Sequence, residues 1–388
     1  MTMKKIIFVN NNMKVGGVQK SLYNLLWSLE GQYEMTLLVF SPVGAYMDKL
    51  PPRVKVLTCD SLVRYLGISQ GECSRKLTRG ALAAFCRVFG RPAVMKLLLA
   101  SQKTVPGHYD CAIAFLQNGR KSNFYGGVQE FVLRRINASR KIAFLHCDYS
   151  RSGSDYPENN ALLAEFDAVA ACSDGCRQVF CRTVPDLAEK SVTVRNCHRY
   201  DEIRALAQAE PVAYDPDVCN VVMVSRLAHE KGLERAIAAV RHCRENGVDI
   251  MLHIVGGGPM GKTLEDTARD AGVSDAVRFY GEQTNPYRYL AGADLFVMTS
   301  EHEAAPMVIE EAGCLGVPVL TTRTTSSDEM VTERNLGWVC ENSQTGINDS
   351  LLKVTKDLPA LRQKKTQLQN RIWDNEMPLR QFAALIEG

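Results

Sequence analysis

Short apolar runs alternate with helix-length amphipathic stretches along most of this 388-residue chain. This alternation constrains the fold more than any other feature, because successive strand–helix–strand units bring each new strand back parallel to the previous one. Five strand-like runs lie in the first half, at Lys5–Val9, Met35–Phe40, Cys111–Phe115, Lys141–His146 and Ala168–Ala171. The pattern predicts an α/β protein built on parallel sheets.

A second series of strands and helices follows a polar segment, 205–218, that contains two prolines. Its strand-like runs lie at Asn220–Val224, Met251–Val255, Val277–Tyr280, Leu295–Met298 and Val317–Thr321. We therefore predict two doubly wound, Rossmann-like domains that face each other across a cleft, with a hinge near 198–218. They comprise residues 1–200, joined by a C-terminal helical segment 373–388, and residues 201–372.

Charge is distributed unevenly along the chain. Residues 1–200 contain 27 Lys and Arg against 15 Asp and Glu, and the remainder contains 19 against 28, so the net charges are +12 and −9. An anionic partner is expected for the first half. The first strand follows Met1 closely and no apolar run approaches the ~20 residues of a membrane span, so we expect a cytoplasmic protein.

The thirteen cysteines are expected to be free thiols in that compartment. Cys172, Cys176 and Cys181 cluster, with His198 further along, but their spacing matches no common zinc site. Asp215-Pro-Asp217 follows no strand and is interpreted as a turn. We therefore expect no metal and no cofactor.

Three segments at the carboxyl ends of predicted strands are candidates for ligand binding, since open α/β sheets bind ligands at this edge. The first is Gly16-Gly17, where the backbone of a helix start can approach a phosphate. It lacks the G-x-G-x-x-G pattern of dinucleotide binding, and no acidic residue ends the second strand at Phe40-Ser41. An ordinary tight turn is the alternative interpretation.

The second segment contains Arg226 and Lys231, which follow the strand that ends at Val224-Ser225. Two cations at a sheet edge can hold a diphosphate and stabilise its charge as it leaves. A solvated basic loop is the alternative. The third segment, 300–312, joins the strand Leu295–Met298 to a helix.

In this third segment, Glu303 and Glu311 are carboxylates eight residues apart that can bind hydroxyl groups of one ligand. Met307 and Val308 begin the helix, and their N–H groups can bind phosphate. Acidic residues are also common at helix starts because of the helix dipole alone.

Together these segments resemble glycosyltransferase family 4, whose fold is named GT-B. The segment 303–311 is similar to the E-x7-E signature of that family, and the resemblance extends to most of the chain through the following motifs. They are Gly16-Gly17, Ser225-Arg226-Leu227, Glu230-Lys231-Gly232, Val255-Gly-Gly-Gly-Pro259, Asn285-Pro286 and Ala293-Asp-Leu-Phe-Val297.

The resemblance implies transfer of a sugar, with retention of anomeric configuration, from a nucleotide-sugar donor. It implies a UDP-linked donor by family frequency, a glycan or lipid-linked acceptor, and a place in bacterial surface polysaccharide biosynthesis. Arg226 and Lys231 would hold the diphosphate, Glu303 the sugar and Glu311 the ribose.

The resemblance also implies that Gly17 approaches the diphosphate from the first domain and that His146 faces the donor sugar. A structural role is the alternative for His146. The terminal helix near Trp373 would cross back onto the first domain. The sequence departs from the family pattern at Ala304-Ala305, where Gly-Phe is frequent, and alanine is unfavourable if the backbone φ must be positive. This difference puts the identity of the donor in question. No carboxylate nucleophile is evident, which favours a front-face reaction.

A basic amphipathic helix is predicted in the segment 75–91. Its expected basic side carries Lys76, Arg79, Arg87 and Arg91, and its expected apolar side carries Leu77, Ala81, Ala84, Phe85, Val88 and Phe89. A helix of this kind indicates that the protein binds peripherally to the inner face of an anionic membrane. Packing of the apolar side on its own domain is the alternative.

Other classes of protein remain open at this point. A nucleotide-sugar epimerase of the same architecture would also bind the donor, and a catalytically inactive relative would retain the fold. The absence of an acidic ribose ligand disfavours an NAD-dependent oxidoreductase. Nucleic-acid binding is not expected, because no recognition motif or basic segment with interleaved exposed aromatics is present.

Overall fold

The computed structural model describes residues 3–68, 76–121 and 126–388. The chain divides into two units, one formed by residues 1–197 with 375–388 and the other by residues 198–374. Every strand pair in both units is parallel, and helices connect the strands. The predicted fold class of two doubly wound α/β domains is confirmed.

The first unit contains a seven-stranded sheet. Its strands are β1 (Lys5–Asn10), β2 (Glu34–Val39), β3 (Lys55–Thr58), β4 (Tyr109–Ala114), β5 (Ala138–Leu145), β6 (Ala168–Ala171) and β7 (Ser191–Thr193). Their order across the sheet is β3-β2-β1-β4-β5-β6-β7. Its helices are α1 (Gly17–Ser28), α2 (Lys76–Ala100), α3 (Val128–Arg135), α4 (Pro157–Ala164) and α5 (Asp174–Thr183). Short 3-10 helices lie at Met47–Lys49, Leu62–Gly67 and Pro185–Lys190.

The second unit contains a six-stranded sheet. Its strands are β8 (Cys219–Val224), β9 (Ile250–Val255), β10 (Val277–Phe279), β11 (Leu295–Met298), β12 (Val319–Thr322) and β13 (Gly337–Cys340). Their order is β10-β9-β8-β11-β12-β13. Its helices are α6 (Tyr200–Ala209), α7 (Leu233–Glu245), α8 (Gly261–Asp270), α9 (Tyr287–Gly292), α10 (Met307–Cys314), α11 (Gln344–Lys356) and α12 (Leu358–Gln369). Shorter helical turns lie at His229–Lys231, Ser274–Ala276 and, in π form, Asp328–Thr332.

The last helix, α13 (Glu376–Glu387), packs in the first unit. Phe382 is fully buried there and stacks on Phe8 of β1, with ring centroids 6.1 Å apart. The helix begins three residues later than predicted, and Trp373 instead packs in the second unit, 5.7 Å from the ring of Tyr200. The return of the terminal helix to the first sheet follows from its apolar face, which matches the core around β1.

Strand order reverses once in each sheet, between β1 and β4 in the first and between β8 and β11 in the second. At such a reversal the connections leave toward opposite faces of the sheet, and a crevice opens beyond the carboxyl ends of the two strands. Gly16 follows β1, Arg226 follows β8 and Glu303 follows β11. The candidate residues therefore lie at the switch points, where this architecture binds ligands.

Helix α2 differs from the predicted basic amphipathic helix. Arg91 does not belong to a solvated basic face, because its side chain is 9% exposed and pairs with Glu130. The helix is broken just before it, at Gly90, whose φ of 79° is outside the helical range. Arg75 and the side chain of Lys76 lie outside the described residues.

On the first half of α2, the buried residues are Leu82 and Cys86. Leu77, Val88 and Phe89, predicted on the apolar side, are 91%, 73% and 63% exposed. The apolar side thus does not pack fully on its own unit. Among the described residues, no helix has the length and apolar character needed to cross a membrane.

Candidate active site

Two loops converge at the switch point of the second sheet. Ser225, Arg226 and Lys231 follow β8, while Glu303 follows the neighbouring strand β11. The Nζ atom of Lys231 lies 2.5 Å from Oε1 of Glu303, and these side chains are 23% and 13% exposed. The structure therefore brings a cation of the first loop and a carboxylate of the second into contact.

Glu303 is oriented by a second hydrogen bond. The hydroxyl of Ser300 donates to its Oε1 atom at 2.9 Å. With Lys231 on the same oxygen, the other carboxylate oxygen has no protein donor among the described residues and can accept hydrogen bonds from a ligand. A carboxylate held in this way is suited to binding sugar hydroxyl groups.

Arg226 lies further into solvent than Lys231. Its side chain is 68% exposed and pairs with Glu230 of the same loop. Burial alone would raise the pKa of Glu230, but backbone hydrogen bonding and the Arg226 charge outweigh it, so this pKa lies below its ordinary value. An exposed arginine pair contributes little to stability, which leaves the guanidinium available for an anionic ligand.

A glycine brings the neighbouring loop against the Arg226 loop. Gly256 follows β9 with a φ of +148°, and a Cβ atom there would lie 1.8 Å from the carbonyl oxygen of Ser225. Only glycine allows this approach. The Val255-Gly-Gly-Gly-Pro259 motif therefore supports the backbone from which Arg226 projects.

Helix α10 begins at Met307, immediately after Pro306. The N–H groups of Met307 and Val308 lie in its first turn, where no intrahelical carbonyl accepts them, so this end can bind an anion. Glu311 lies on the same helix and is 4% exposed. The predicted junction of strand, loop and helix is confirmed.

The sequence analysis missed a buried cluster that anchors α10. Glu310 is 7% exposed; it accepts a hydrogen bond from the hydroxyl of Tyr200 at 2.7 Å and an ion pair from Arg334. Nδ1 of His198 lies 3.5 Å from the same carboxylate, and Nε2 of His198 lies 3.2 Å from the backbone oxygen of Met307.

Burial by itself would raise the pKa of Glu310. The neighbouring His198 and Arg334 and the Tyr200 hydrogen bond outweigh it, so the pKa is lowered and Glu310 is ionised at neutral pH. The only sequence signal was the pair Glu310-Glu311, which does not say which carboxylate faces the ligand. Glu310 is a positioning residue that fixes the start of α10.

The departure from the family pattern at Ala304-Ala305 carries no backbone strain. Among the described residues, Asn335 is the single residue other than glycine with a positive φ. The loop therefore adopts a backbone that alanine accepts, and the expected conformational penalty is absent. The methyl groups remain a difference in shape beside Glu303.

In the first unit, Gly16 and Gly17 lie at the start of α1, after β1. A Cβ atom at Gly17 would meet no protein atom within 4 Å. Packing inside the protein therefore does not require glycine at this position. Space at a helix start on a switch point is what an approaching ligand needs, and the role of Gly16 and Gly17 stays a prediction.

His146 follows β5, and its ring lies 4.7 Å from that of Phe115. Burial lowers its pKa to about 4, although a hydrogen bond to the backbone of Phe115 acts in the opposite direction. Its Nε2 atom is buried without a hydrogen-bond partner among the described residues. A neutral imidazole that donates to Phe115 retains a lone pair on Nε2, which can accept a hydrogen bond from a ligand hydroxyl group.

No group of three or more potential metal ligands occurs among the described residues. Cys172 and Cys176 are buried and form no disulfide among the described residues. The backbone N–H of Asp217 donates to the Asp215 carboxylate at 3.0 Å, which confirms the predicted turn at Asp215-Pro-Asp217.

Comparison with known proteins places this site in a family context. Residues 212–371 match the sequence model of the family described as "Glycosyl transferases group 1". The chain is 30% identical over 227 residues to the lipopolysaccharide core biosynthesis glycosyltransferase LpsD of Rhizobium meliloti (strain 1021), covering 55% of this chain and 60% of that protein. It is 34% identical over 111 residues to the N-acetyl-alpha-D-glucosaminyl L-malate synthase of Bacillus anthracis, covering 28% and 29%.

These matched stretches span between about a third and three fifths of the relatives' lengths. Among solved structures, the Anabaena protein Alr3699/HepE in complex with UDP and glucose aligns over 99% of both chains, with a TM-score of 0.66 and 19% identity. That similarity concerns the fold. These relatives do not support the epimerase alternative. Over residues 212–371 the chain carries a glycosyltransferase group 1 region, and its two α/β units together have the two-domain GT-B fold.

Proposed function

We propose that this protein is a retaining glycosyltransferase of family 4 that transfers a sugar from a UDP-linked donor to a glycan or lipid-linked acceptor. The observation that carries the proposal is the contact of Lys231 with Glu303 at the switch point, next to Arg226 and the first turn of α10. Cations and free N–H groups suit a diphosphate, and a fixed carboxylate suits sugar hydroxyls. The UDP bound to the Anabaena structure supports the choice of nucleotide.

In this proposal each residue has one role. Arg226, Lys231 and the N–H groups of Met307 and Val308 bind the diphosphate. Glu303 and His146 accept hydrogen bonds from sugar hydroxyls, Glu311 binds the ribose, and the helix start at Gly16-Gly17 approaches the diphosphate. Lys231 exchanges its contact with Glu303 for a phosphate oxygen when the donor binds. No resident metal is required, because these cations and N–H groups neutralise the leaving group.

The proposed reaction follows a front-face course. The bond from sugar C1 to the diphosphate oxygen breaks, and the acceptor hydroxyl oxygen bonds to C1 on the same face. The hydroxyl proton passes to the departing diphosphate oxygen, so the products are a glycoside and UDP. Negative charge grows on the diphosphate in the transition state, where preorganised donors lower the barrier most.

The acceptor class is proposed from the relatives. LpsD is named for lipopolysaccharide core biosynthesis, and other relatives are named for amylovoran and colanic acid biosynthesis. A role in bacterial surface polysaccharide biosynthesis, in the cytoplasm at the inner face of the membrane, fits this group. Helix α2 supports peripheral binding to anionic lipid, since Arg87 and the apolar residues Leu77, Val88 and Phe89 are exposed together.

Substitution of Arg226 by alanine tests the donor site. The ion pair that Arg226 forms among the described residues, with Glu230, is exposed, so the fold should be unaffected. Loss of one such donor is expected to lower kcat by ~10²–10³ and to weaken UDP binding. The matched control is Arg241→Ala, which removes another exposed i,i+4 pair, with Glu245 on α7. Equal activity and equal UDP affinity in the two variants would reject the proposal.

Vesicle sedimentation tests membrane binding. Arg87→Glu should reduce binding to anionic vesicles about fivefold or more, since each basic residue near such a surface contributes ~1 kcal/mol. Neutral vesicles and the Arg241→Ala variant are the controls. Vesicle binding that does not depend on anionic lipid would exclude α2 as the membrane-binding helix. Binding that survives the double substitution Arg87→Glu and Phe89→Ser would exclude it as well.

A further inference from the structure

A cavity of about 390 Å³ lies in the first unit among α2, α3 and α4. Its apolar lining includes Pro92, Met95, Leu99 and Leu162. The volume falls within the range of pockets that bind small ligands. None of the residues proposed for donor binding lines it, so it is a separate candidate site.

Basic side chains dominate the charge around this cavity, which is lined by five arginines and lysines and two glutamates. Lys121 is neutralised by Glu158 at 2.5 Å, and Arg134 by Glu165 at 2.5 Å. Lys96 has no ion-pair partner among the described residues.

Arg135 also has no carboxylate partner among the described residues. Its guanidinium donates hydrogen bonds to the backbone oxygens of Leu99 and Arg134. Together Lys96 and Arg135 leave uncompensated positive charge beside an apolar lining. An anionic group attached to an apolar chain complements both features.

One wall of the cavity is held rigid by a buried polar network. The fully buried Asn118 accepts a hydrogen bond from Arg91 at 2.8 Å and donates to Glu130 at 3.2 Å and to Asn159 at 3.0 Å. Arg91, Glu130 and Asn159 all line the cavity. Because these polar groups are already paired, the wall is preorganised and the unpaired cations determine which ligand is favoured.

The cavity opens toward solvent at α2. Pro92 and Lys96 both line it and are exposed. The same helix exposes Phe89 and Leu97, at 63% and 44%. A chain that leaves the cavity along α2 would therefore meet further apolar surface, which suits a ligand drawn from a lipid layer.

We propose that this cavity binds the lipid part of the acceptor. The phosphate-bearing headgroup contacts Lys96 and Arg135, and the first part of the apolar chain packs on Met95, Leu99 and Leu162. This assignment rests on the proposed glycosyl transfer, for which it names a phosphate-bearing lipid as the acceptor class.

Calorimetric titration of the full-length protein with monomeric octyl phosphate tests the cavity. We expect saturable binding of one molecule, with much weaker binding of inorganic phosphate and of octyl glucoside, because each has only one of the two features. Lys96→Glu should weaken octyl phosphate binding at least tenfold. Leu162→Trp, which fills the cavity from a half-buried position, should abolish it.

Lys103→Glu is the matched control, since it makes the same charge change at an exposed lysine that does not line the cavity. It should bind octyl phosphate within twofold of the unmodified protein. Binding that survives both Lys96→Glu and Leu162→Trp overturns the proposal. Inorganic phosphate that binds as tightly as octyl phosphate overturns it as well, because the apolar lining would then contribute nothing.

Titration of UDP into the same samples separates this proposal from the proposed function. A protein that binds UDP but not octyl phosphate refutes the cavity alone. A protein that binds octyl phosphate but not UDP refutes the glycosyl transfer and, with it, the acceptor role of the cavity. In transfer assays, Lys96→Glu should raise KM for a lipid-linked phosphate acceptor and leave KM for the donor unchanged.

Discussion

The ion pair between Arg334 and Glu310 should determine the stability of the second unit and the position of α10. Arg334→Met removes the positive partner of a carboxylate that is 7% exposed and leaves it with Tyr200 and His198. Breaking a buried pair on one side costs ~3–5 kcal/mol. Because Arg334 is a quarter exposed and two partners remain, we expect about 2–3 kcal/mol for this variant.

Thermal and urea unfolding measure this loss. For a unit of this size, about 2–3 kcal/mol corresponds to a fall in Tm of roughly 5–10 °C. The fluorescence of Trp373 can follow the unfolding of this unit, since the Arg334 guanidinium lies 5.6 Å from the Trp373 ring. Arg323→Met is the control, because it breaks an exposed pair with Asp328 in the same unit and should change stability by less than about 0.5 kcal/mol.

A double-mutant cycle tests the physical reason. Glu310→Gln removes the charge that Arg334 compensates, so the double variant should be more stable than the sum of the two single losses predicts, by ~1–3 kcal/mol. Arg334→Met should also weaken UDP binding, because the first turn of α10 loses its anchor. Additive losses in the cycle, or a stability of Arg334→Met within about 0.5 kcal/mol of the unmodified protein, would refute this reasoning.

Three further predictions concern other parts of the molecule. Burial lowers the pKa of His253 to about 4, while its unfolded pKa is ~6.5, so unfolding takes up a proton in this range. The free energy of unfolding should therefore fall by about 3 kcal/mol between pH 6.5 and 4 and level off below, and His253→Gln should flatten this pH dependence. Gly256→Ala should lower the Tm and donor binding together, because its Cβ would collide with the Ser225 oxygen; an unchanged Tm would contradict the assigned backbone approach. His146→Ala should lower kcat without loss of UDP affinity, and a change in UDP affinity alone would contradict a role at the sugar.

The sequence predicted the centres of both sheets because their strands are continuous apolar runs with local periodicity. Three strands were missed, β3, β7 and β13. β3 is largely exposed, and β7 has only three residues, so neither shows a buried run. The cations and carboxylates at β8 and β11 could be recognised because a switch point places them by topology alone.

The Glu310 cluster could not be predicted in the same way. Its partners Tyr200 and Arg334 lie 110 and 24 residues away along the chain. Each is an ordinary residue in its local segment, and only the packing of α6 and α10 in one core brings them together. Tertiary proximity of this kind leaves no periodic signal in a single sequence.

Helix α2 shows how a correct helix prediction can still assign its faces wrongly. On a helical wheel with about 100° per residue and position 75 set at zero, Leu82 and Cys86 both lie within about 20° of zero. This direction is the boundary between the predicted basic and apolar sides. The structure buries this boundary, so the apolar side is turned about a quarter of a revolution or more from the core, and Leu77 and Val88 are left in solvent. Gly90 then breaks the helix, so the side of the helix predicted for Arg91, which follows the break, does not apply. Exposed apolar side chains on this scale are unfavourable in water, and their position next to Arg87 supports the proposed docking of this helix on an anionic membrane.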